Sequence, residues 1–295
     1  MRVTVIGGSG FLGSHVADRL SEAGHIVRIF DRVVSPWLRN DQEMIVGDLM
    51  DITVLEMAIV GSEIVYHFAA LADLNDALDK PVETVRINIL GTVLALEAAK
   101  KNNIKRFIYA STVYVYSREG GFYRCSKQAA EHYVEEYSRA FGLQYTILRY
   151  GSLYGPRSDE SNGLYRVVRE AIQNGVVSYV GSPEAMREYI HVEDAASASV
   201  VALGEEFSDQ SVVFTGHQPM RVADLMKMLA EILGFTNSVE FIEGDNGGHY
   251  VRTPYAYQPK LGRKYTPPLH VDLGQGLLQL IDQISNKINT SQGKC

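Results

Sequence analysis

The sequence predicts an α/β fold: a doubly wound parallel sheet followed by a smaller C-terminal α/β lobe. Three observations carry this. The chain opens with an apolar run that leads through a glycine-rich turn into a helix-length segment. Short apolar runs then alternate with helical segments through the first half, the pattern of parallel strands joined by right-handed crossovers. From about Tyr150 the alternation breaks, and glycine, proline and tyrosine become frequent.

The first strand is Arg2 to Ile6, and the turn after it is Gly7-Gly-Ser-Gly10-Phe-Leu-Gly13. A second apolar run, His25 to Phe30, ends at Asp31. A third strand near Glu43 to Val46 leads into Gly47-Asp48-Leu49. Ile64 to His67 is the fourth, followed by Phe68-Ala69-Ala70. Pro81 precedes a long helix, Glu83 to Asn102, in which Val85, Ile89, Val93 and Leu96 recur at helical spacing. Arg106 to Ala110 is the fifth strand. Tyr123 to Phe141 reads as a helix stopped by Gly142, and Gln144 to Leu148 as the sixth strand. The expected division is a dinucleotide-binding domain over 1–150 and a mainly substrate-binding lobe over 151–295. Segments near 186–215 return to the first domain, among them a helix around Asp194 to Leu203. A last amphipathic helix is expected at Leu277 to Ile288, with a disordered tail beyond it.

Bulk properties narrow the class. The 295 residues carry a net charge of −7, which argues against a nucleic-acid partner. No stretch approaches the ~18 consecutive apolar residues of a membrane span. Met-Arg-Val-Thr runs directly into the first strand, so no signal peptide is expected and the expected location is cytoplasmic. Cys125 and Cys295 make neither a disulfide framework nor a metal cluster, and no metal is expected.

The opening turn has the chemistry of a dinucleotide site. Gly7 permits the tight turn, Gly10 lets a pyrophosphate approach the backbone, and Gly13 lets helix and strand pack closely. The helix N-terminus offers free N–H groups to phosphates. Asp31 accepts hydrogen bonds from both adenosine ribose hydroxyls and repels a 2′-phosphate, so NAD is expected over NADP. Arg32 beside it weakens that preference.

Tyr123-Arg-Cys-Ser-Lys127 places a phenol and an ammonium one helical turn apart on one face. Upstream, Tyr109-Ala-Ser-Thr112 puts hydroxyls at the carboxyl end of the fifth strand, the edge where open α/β sheets bind ligands. Half-ionising a tyrosine at neutral pH needs a shift of about three units, or ~4 kcal/mol. A cation ~4 Å away at an effective dielectric near ~20 supplies about that amount. Lys127 with a positive nicotinamide ring would make Tyr123 a base toward a sugar or alcohol hydroxyl, with Thr112 orienting the same oxygen.

These motifs resemble the extended short-chain dehydrogenase/reductase family, in its NAD-dependent nucleotide-sugar epimerase/dehydratase branch. The resemblance runs from Met1 to about Asp282. It implies a Rossmann sheet, bound NAD and a nucleotide-diphosphate sugar as substrate. Gly7, Gly10, Phe11, Leu12 and Gly13 match the cofactor loop, Asp48-Leu49 looks like the adenine clamp, and Phe68-Ala69-Ala70 like the strand-four contact. Asn88-Ile-Leu-Gly-Thr92 matches the helix motif near the active site. Thr112, Tyr123 and Lys127 fall on the catalytic positions. Ala110 and Tyr150 are implied cofactor contacts, and Leu148 to Pro156 the segment passing the nicotinamide. Arg187-Glu-Tyr-Ile-His-Val-Glu-Asp194 resembles the motif whose arginine pairs with the diphosphate, a task suited to bidentate guanidinium. Ser152 and Arg252 are the other implied substrate contacts.

Departures from the pattern matter as much. The branch's 4,6-dehydratases carry Asp-Glu after the catalytic threonine, and its decarboxylases a glutamate at the second position. Here Val113 and Tyr114 stand there, which disfavours both reactions. The Ser117 to Gly121 link is short, Ser152 replaces a frequent asparagine, and Tyr255 stands where an acid is common. His67 reads as a packed, hydrogen-bonded residue, His191 and Asp194 as fixing local backbone, and Cys125 as a buried small apolar residue. Asp245-Asn-Gly-Gly-His249 reads as a loop, not a metal site. Tyr114, Tyr116, Tyr150 and Tyr154 are candidates to line the pocket or fill the core.

Three functions remain open at this point. The first is epimerisation, most simply at C4, through a transient 4-keto sugar with NAD retained. The second is a keto-sugar reductase or dehydrogenase that releases its cofactor each turnover. The third is a dinucleotide-binding protein with little catalysis. A homodimer is also expected, because both long helices carry spare apolar residues: Ala95, Ala98 and Ala99 on one, and Ala129, Ala130, Tyr133, Val134 and Tyr137 on the other.

Overall fold

The computed structural model describes residues 1–235, 238–244 and 248–255. The helix expected at Leu277 to Ile288 and the tail after it lie outside the described residues, as does Cys295. In chain order the elements are β1 (Arg2–Ile6), α1 (Phe11–Glu22), β2 (Ile26–Asp31), β3 (Gln42–Val46), α2 (Ile52–Ile59), β4 (Ile64–His67), α3 (Leu74–Asp79), α4 (Pro81–Thr84), α5 (Gly91–Lys101), β5 (Arg106–Thr112), α6 (Gly121–Phe141) and β6 (Gln144–Tyr150). Next come β7 (Ser152–Tyr154), α7 (Gly163–Asn174), β8 (Val177–Val180), β9 (Met186–Arg187), β10 (Tyr189–His191), α8 (Val192–Val201), β11 (Gln210–Phe214), β12 (Met220–Arg221), α9 (Val222–Leu233) and β13 (Val239–Ile242).

Seven strands form one sheet in the order β11-β6-β5-β4-β1-β2-β3. Every pairing in it is parallel. This is a doubly wound Rossmann-like sheet. Val3, Val5 and Ile6 have no exposed surface, as expected of a strand covered on both faces. One face packs on α2, α5 and α6 through Leu55, Leu96, Ala98 and Val134. The other packs on α1 and α8 through Val16, Leu20, Ala195 and Ala196. A third cluster joins α7, β8 and α9 through Ala171, Val177, Val222 and Met226.

The register decides which residues meet. Ile6 pairs with Phe30 and with His67, His67 with Tyr109, and Thr112 with Tyr150. The strands therefore end level, and the segments after β1, β2, β4, β5 and β6 meet at one carboxyl edge.

Two elements differ from the sequence expectation. The helix expected as one piece from Glu83 to Asn102 is α4, a π-helical turn over Val85–Leu90, and α5. Fifth-residue hydrogen bonding widens the turn there and lets Asn88 face inward. The helix α3 before it was not expected. Its cap explains it, since the Asp73 side chain accepts from the Asn75 and Asp76 N–H groups.

Candidate active site

The carboxyl edge of the sheet opens into a cleft of about 1240 Å³. Most of the residues singled out in the sequence line it: Gly7, Gly10, Phe11, Leu12, Gly13, Asp31, Arg32, Asp48, Leu49, Phe68, Ala69, Ala70, Ala110, Thr112, Tyr123, Lys127, Tyr150, Ser152 and Arg187. Asn88 stands behind that wall. Its Oδ1 accepts from Leu71 N–H at 2.7 Å, and its Nδ2 donates to the Leu71 carbonyl and to Ser126 Oγ. The π-helical turn thus ties the segment after β4 to the helix that carries Tyr123 and Lys127. Arg252 is exposed and is not among the lining residues.

The glycine turn fits a dinucleotide phosphate. Gly7 has φ +83°, and a Cβ on Gly13 would stand 2.2 Å from the Gly7 carbonyl oxygen. A side chain at either position would break the strand-to-helix approach. At Gly10 a Cβ would meet only the Gly7 carbonyl, at 3.4 Å, and would otherwise fill cleft space. That open cradle lies at the start of α1, whose first-turn N–H groups have no intrahelical partner. Asp31 ends β2 beside it. Its Oδ2 accepts from Ser9 N–H at 3.0 Å and its Oδ1 from Arg32 N–H at 2.7 Å. The carboxylate therefore also holds the turn in place, a second job that the motif did not reveal.

The catalytic candidates come together at the end of β5. Burial pushes the Tyr123 phenol up to about 12, and its hydrogen bond with Thr112 works the other way. Burial pulls the Lys127 ammonium down to about 7, opposed by the charge of Glu131. Lys127 Nζ donates to the Ala110 carbonyl at 2.7 Å and lies 5.9 Å from the centre of the Tyr123 ring. Arg187 is 4% exposed, and its guanidinium donates to the Met186 carbonyl and stacks 4.7 Å from the Tyr250 ring centre.

Other residues resolve one by one. His67 is fully buried, its Nε2 lies 3.1 Å from Thr92 Oγ1, and burial lowers its pKa to about 3. His191 Nδ1 accepts from Glu193 N–H and caps α8, while Asp194 is exposed in that helix's first turn. The Tyr150 hydroxyl is engaged by Ser199 Oγ at 2.6 Å, so only its ring faces the cleft. Tyr116 accepts from Arg149, and Tyr154 packs against Tyr189 and His191. Tyr255 donates to Glu188. Cys125 corrects the expectation of a buried residue: it is exposed on α6, because Ser126, Lys127 and Ala130 take the inward face. Among the described residues no group of His, Cys, Asp and Glu could hold a metal ion, and no helix is long and apolar enough to cross a membrane.

The sequence reading missed the roles of three residues. Glu131 is 5% exposed, pairs with Arg149 at 2.7 Å and accepts from Ser111 Oγ at 2.5 Å. It lies one helical turn beyond Lys127, and the i+4 spacing from that lysine was the available signal. His249 and Tyr250 come from a loop far along the chain, which no local pattern could place in the cleft.

A Rossmann sheet with this turn and a buried Thr-Tyr-Lys set defines an NAD-dependent enzyme of the short-chain dehydrogenase/reductase type. A family profile then fixes the assignment. Residues 3–214 match the NAD dependent epimerase/dehydratase family, and the chain belongs to it. The crystal structure of a UDP-glucose 4-epimerase with UDP-glucose from Thermotoga maritima is similar at a TM-score of 0.79 and 28% identity, covering 87% of this chain and 90% of that one. A Thermus thermophilus UDP-glucose 4-epimerase in complex with NAD gives a TM-score of 0.77 at 26% identity, covering 89% and 95%. A UDP-N-acetyl-alpha-D-glucosaminuronate decarboxylase of Bacillus cytotoxicus is 27% identical over 238 residues, 72% of this chain and 74% of that protein.

Proposed function

We propose that the protein is an NAD-dependent epimerase that inverts one carbon, most simply C4, of a sugar carried on a nucleoside diphosphate. Similarity to both epimerases and a decarboxylase leaves the reaction to be argued from the site. The observation that carries the epimerase reading is the set Thr112, Tyr123 and Lys127 facing the cleft without a carboxylic acid in the next two positions. Tyr123 takes the proton of the C4 hydroxyl, Thr112 orients that oxygen, and Lys127 favours the ionised phenol. Bound NAD supplies a hydride acceptor that returns what it takes. Dehydration needs a group to protonate the departing hydroxyl, which Val113 cannot do. Tyr114, held well above the ordinary tyrosine range by burial, is a poor proton donor.

In this reading residues 1–150, with the segments near 186–215, hold the cofactor, and residues 151–295 mainly hold the sugar nucleotide. Asp31 takes the adenosine ribose, Gly10 and the start of α1 the pyrophosphate, and Arg187 the diphosphate of the substrate. The exposed position of Arg252 gives it no part in this account. The cytoplasm, which supplies NAD and nucleotide sugars, is the matching location.

A homodimer remains part of the reading, with Tyr133 kept and most of the other expected residues replaced. Ala95, Ala98, Ala99, Ala130, Val134 and Tyr137 are all buried within the chain and are consumed by its own core. The same helical region keeps Val82 81%, Val85 53% and Tyr133 46% exposed, and these support a face for a second copy.

The test is incubation of the NAD-loaded protein with UDP-, dTDP-, GDP- and CDP-sugars. The expected product is an epimer of unchanged mass, with no net change in NADH. A product lighter by one water or by carbon dioxide overturns the reading, and stoichiometric NADH favours the reductase instead.

A further inference from the structure

A second hydrogen-bonded pair faces the cleft beside Tyr123. Tyr114 follows Thr112 by two residues, on a short 3-10 helix over Val113–Tyr116. Its hydroxyl is hydrogen-bonded to His249 Nδ1. Its ring stands edge-on to that of Tyr123, with centres 6.4 Å apart, and 4.8 Å from that of Tyr250. All four line the same cleft. His249 keeps an accessible face, and that face is part of the cleft wall.

The short Ser117 to Gly121 link makes this arrangement possible. Gly120 N–H donates to the Gly248 carbonyl at 2.7 Å, which fastens the link to the segment carrying His249. Gly120 itself has φ +91°, and a Cβ there would come 2.6 Å from the Tyr114 ring. A longer or bulkier link would compete with residues 248–250 for this space. The missing loop and the distant histidine are therefore two halves of one feature.

We propose that Tyr114 and His249 form the specificity-determining pair of the sugar site, recognising the free hydroxyl at C3 or at C6, on either side of the C4 position served by Tyr123. This rests on the nucleotide-sugar reading above. Burial holds the Tyr114 proton on, and burial followed by the charges of Arg187 and Arg166 lowers the His249 pKa, against Asp73. Both side chains are thus neutral near pH 7. A tyrosine O–H donating to Nδ1 assigns the proton to Nε2. The pair then presents a lone pair on the Tyr114 oxygen and an N–H on His249. A sugar hydroxyl both donates and accepts, and it satisfies both groups at once. A deoxy carbon leaves them desolvated without partners.

The test is calorimetric titration of the NAD-loaded protein with UDP-glucose, its 3-deoxy analogue and its 6-deoxy analogue. Formation of the 4-epimer is followed in the same samples. Tyr114→Phe and His249→Phe are each expected to weaken UDP-glucose about tenfold, the scale of one hydrogen bond. The double variant is expected to lose little more than either single one, because the two act as a unit. One of the two deoxy sugars is expected to bind wild type and Tyr114→Phe alike, which identifies the hydroxyl. Equal losses with both deoxy sugars, or additive losses in the double variant, overturn the pair. NAD affinity is the folding control, and His249→Phe carries the test alone if Tyr114→Phe fails it. The expected binding pattern without epimer formation keeps the pair and sinks the epimerase reading. Failure of all three sugars to bind overturns the pair.

Discussion

Replacing Asp31 by asparagine tests the ribose contact proposed for that residue, because the amide oxygen can still accept from Ser9 N–H while only the bond from the exposed Arg32 N–H is given up. The carboxylate accepts one N–H on each oxygen, from Ser9 and from Arg32. Each oxygen keeps a lone pair for a ribose hydroxyl. Hydrogen bonds to a charged group are worth ~1.5–3 kcal/mol against ~1 kcal/mol for neutral ones. Asp31→Asn should therefore weaken NAD by about 1–2 kcal/mol, or roughly 5- to 30-fold. A 2′-phosphate ~4 Å from a carboxylate costs ~1–4 kcal/mol per unit charge as the effective dielectric runs from ~80 to ~20. Removing the charge relieves that cost, so NADP should gain about tenfold or more. The NAD/NADP ratio should fall by about 10²-fold in all. Asp31→Ala is the contrasting variant. It also strands the Ser9 N–H of a residue 8% exposed, so it should weaken both cofactors. Isothermal calorimetry with both cofactors at one fixed ionic strength measures these values. Wild-type affinities within about threefold of one another, or an unchanged ratio in Asp31→Asn, would refute the assignment of the ribose to this carboxylate.

Tyr123→Phe should keep the fold and NAD binding and lose at least ~10²-fold in turnover, measured as epimer formation; near-normal turnover would show that another group is the base. Lys127 drops from 10.5 to about 7 on folding, so between those values the unfolded chain binds a proton that the folded chain lacks. Stability of the cofactor-free protein should then rise from about pH 7 to about pH 10, and urea unfolding of Lys127→Met should show a smaller slope there; equal slopes would refute the shift. Light scattering should give a dimer that Val82→Glu or Tyr133→Glu converts to a folded monomer, whereas Ala98→Glu should unfold the chain, since Ala98 is fully buried.

Much of the fold was legible because its signals are local. The strand-turn-helix at Gly7 to Gly13 and the apolar run Ile64 to His67 need only neighbouring residues to be recognised, and the latter matches β4 end for end. The motif residues of the site were legible for the same reason, since strand ends of a parallel sheet fall on one edge whatever lies between them. What escaped depends on distance or on competition for surface. The alanines of α5 looked like spare apolar area because sequence alone does not show that α2 and α6 already cover them. Cys125 was misplaced because four residues of one turn compete for the inward face, and helical phase, set by Tyr123 and Lys127, decides it. Glu131 was overlooked because a glutamate on a helix ordinarily faces water. Here Arg149, arriving on β6, supplies the counter-charge that makes its burial tolerable.

The shifts of Tyr123 and Lys127 lead to a last prediction. Both are moved by burial, and in opposite directions, so the protein surroundings by themselves favour a neutral phenol beside a weakly held ammonium. The ammonium lies 5.9 Å from the tyrosine ring centre. Burial lowers its own pKa to about 7, so near neutral pH it carries only part of a positive charge. Lys127 alone therefore offsets only part of the upward shift of Tyr123. A second positive charge in the cleft is needed to reach neutral pH, and oxidised NAD carries one. Tyr123 should thus become a base only when the oxidised cofactor is present. Ultraviolet difference titration of wild type against Tyr123→Phe reads this directly. The Tyr123 transition should fall by at least ~2 units on adding NAD, about what one such charge provides. It should fall far less with NADH, whose ring is neutral. An equal response to both forms, or none, would show that the phenol is activated some other way.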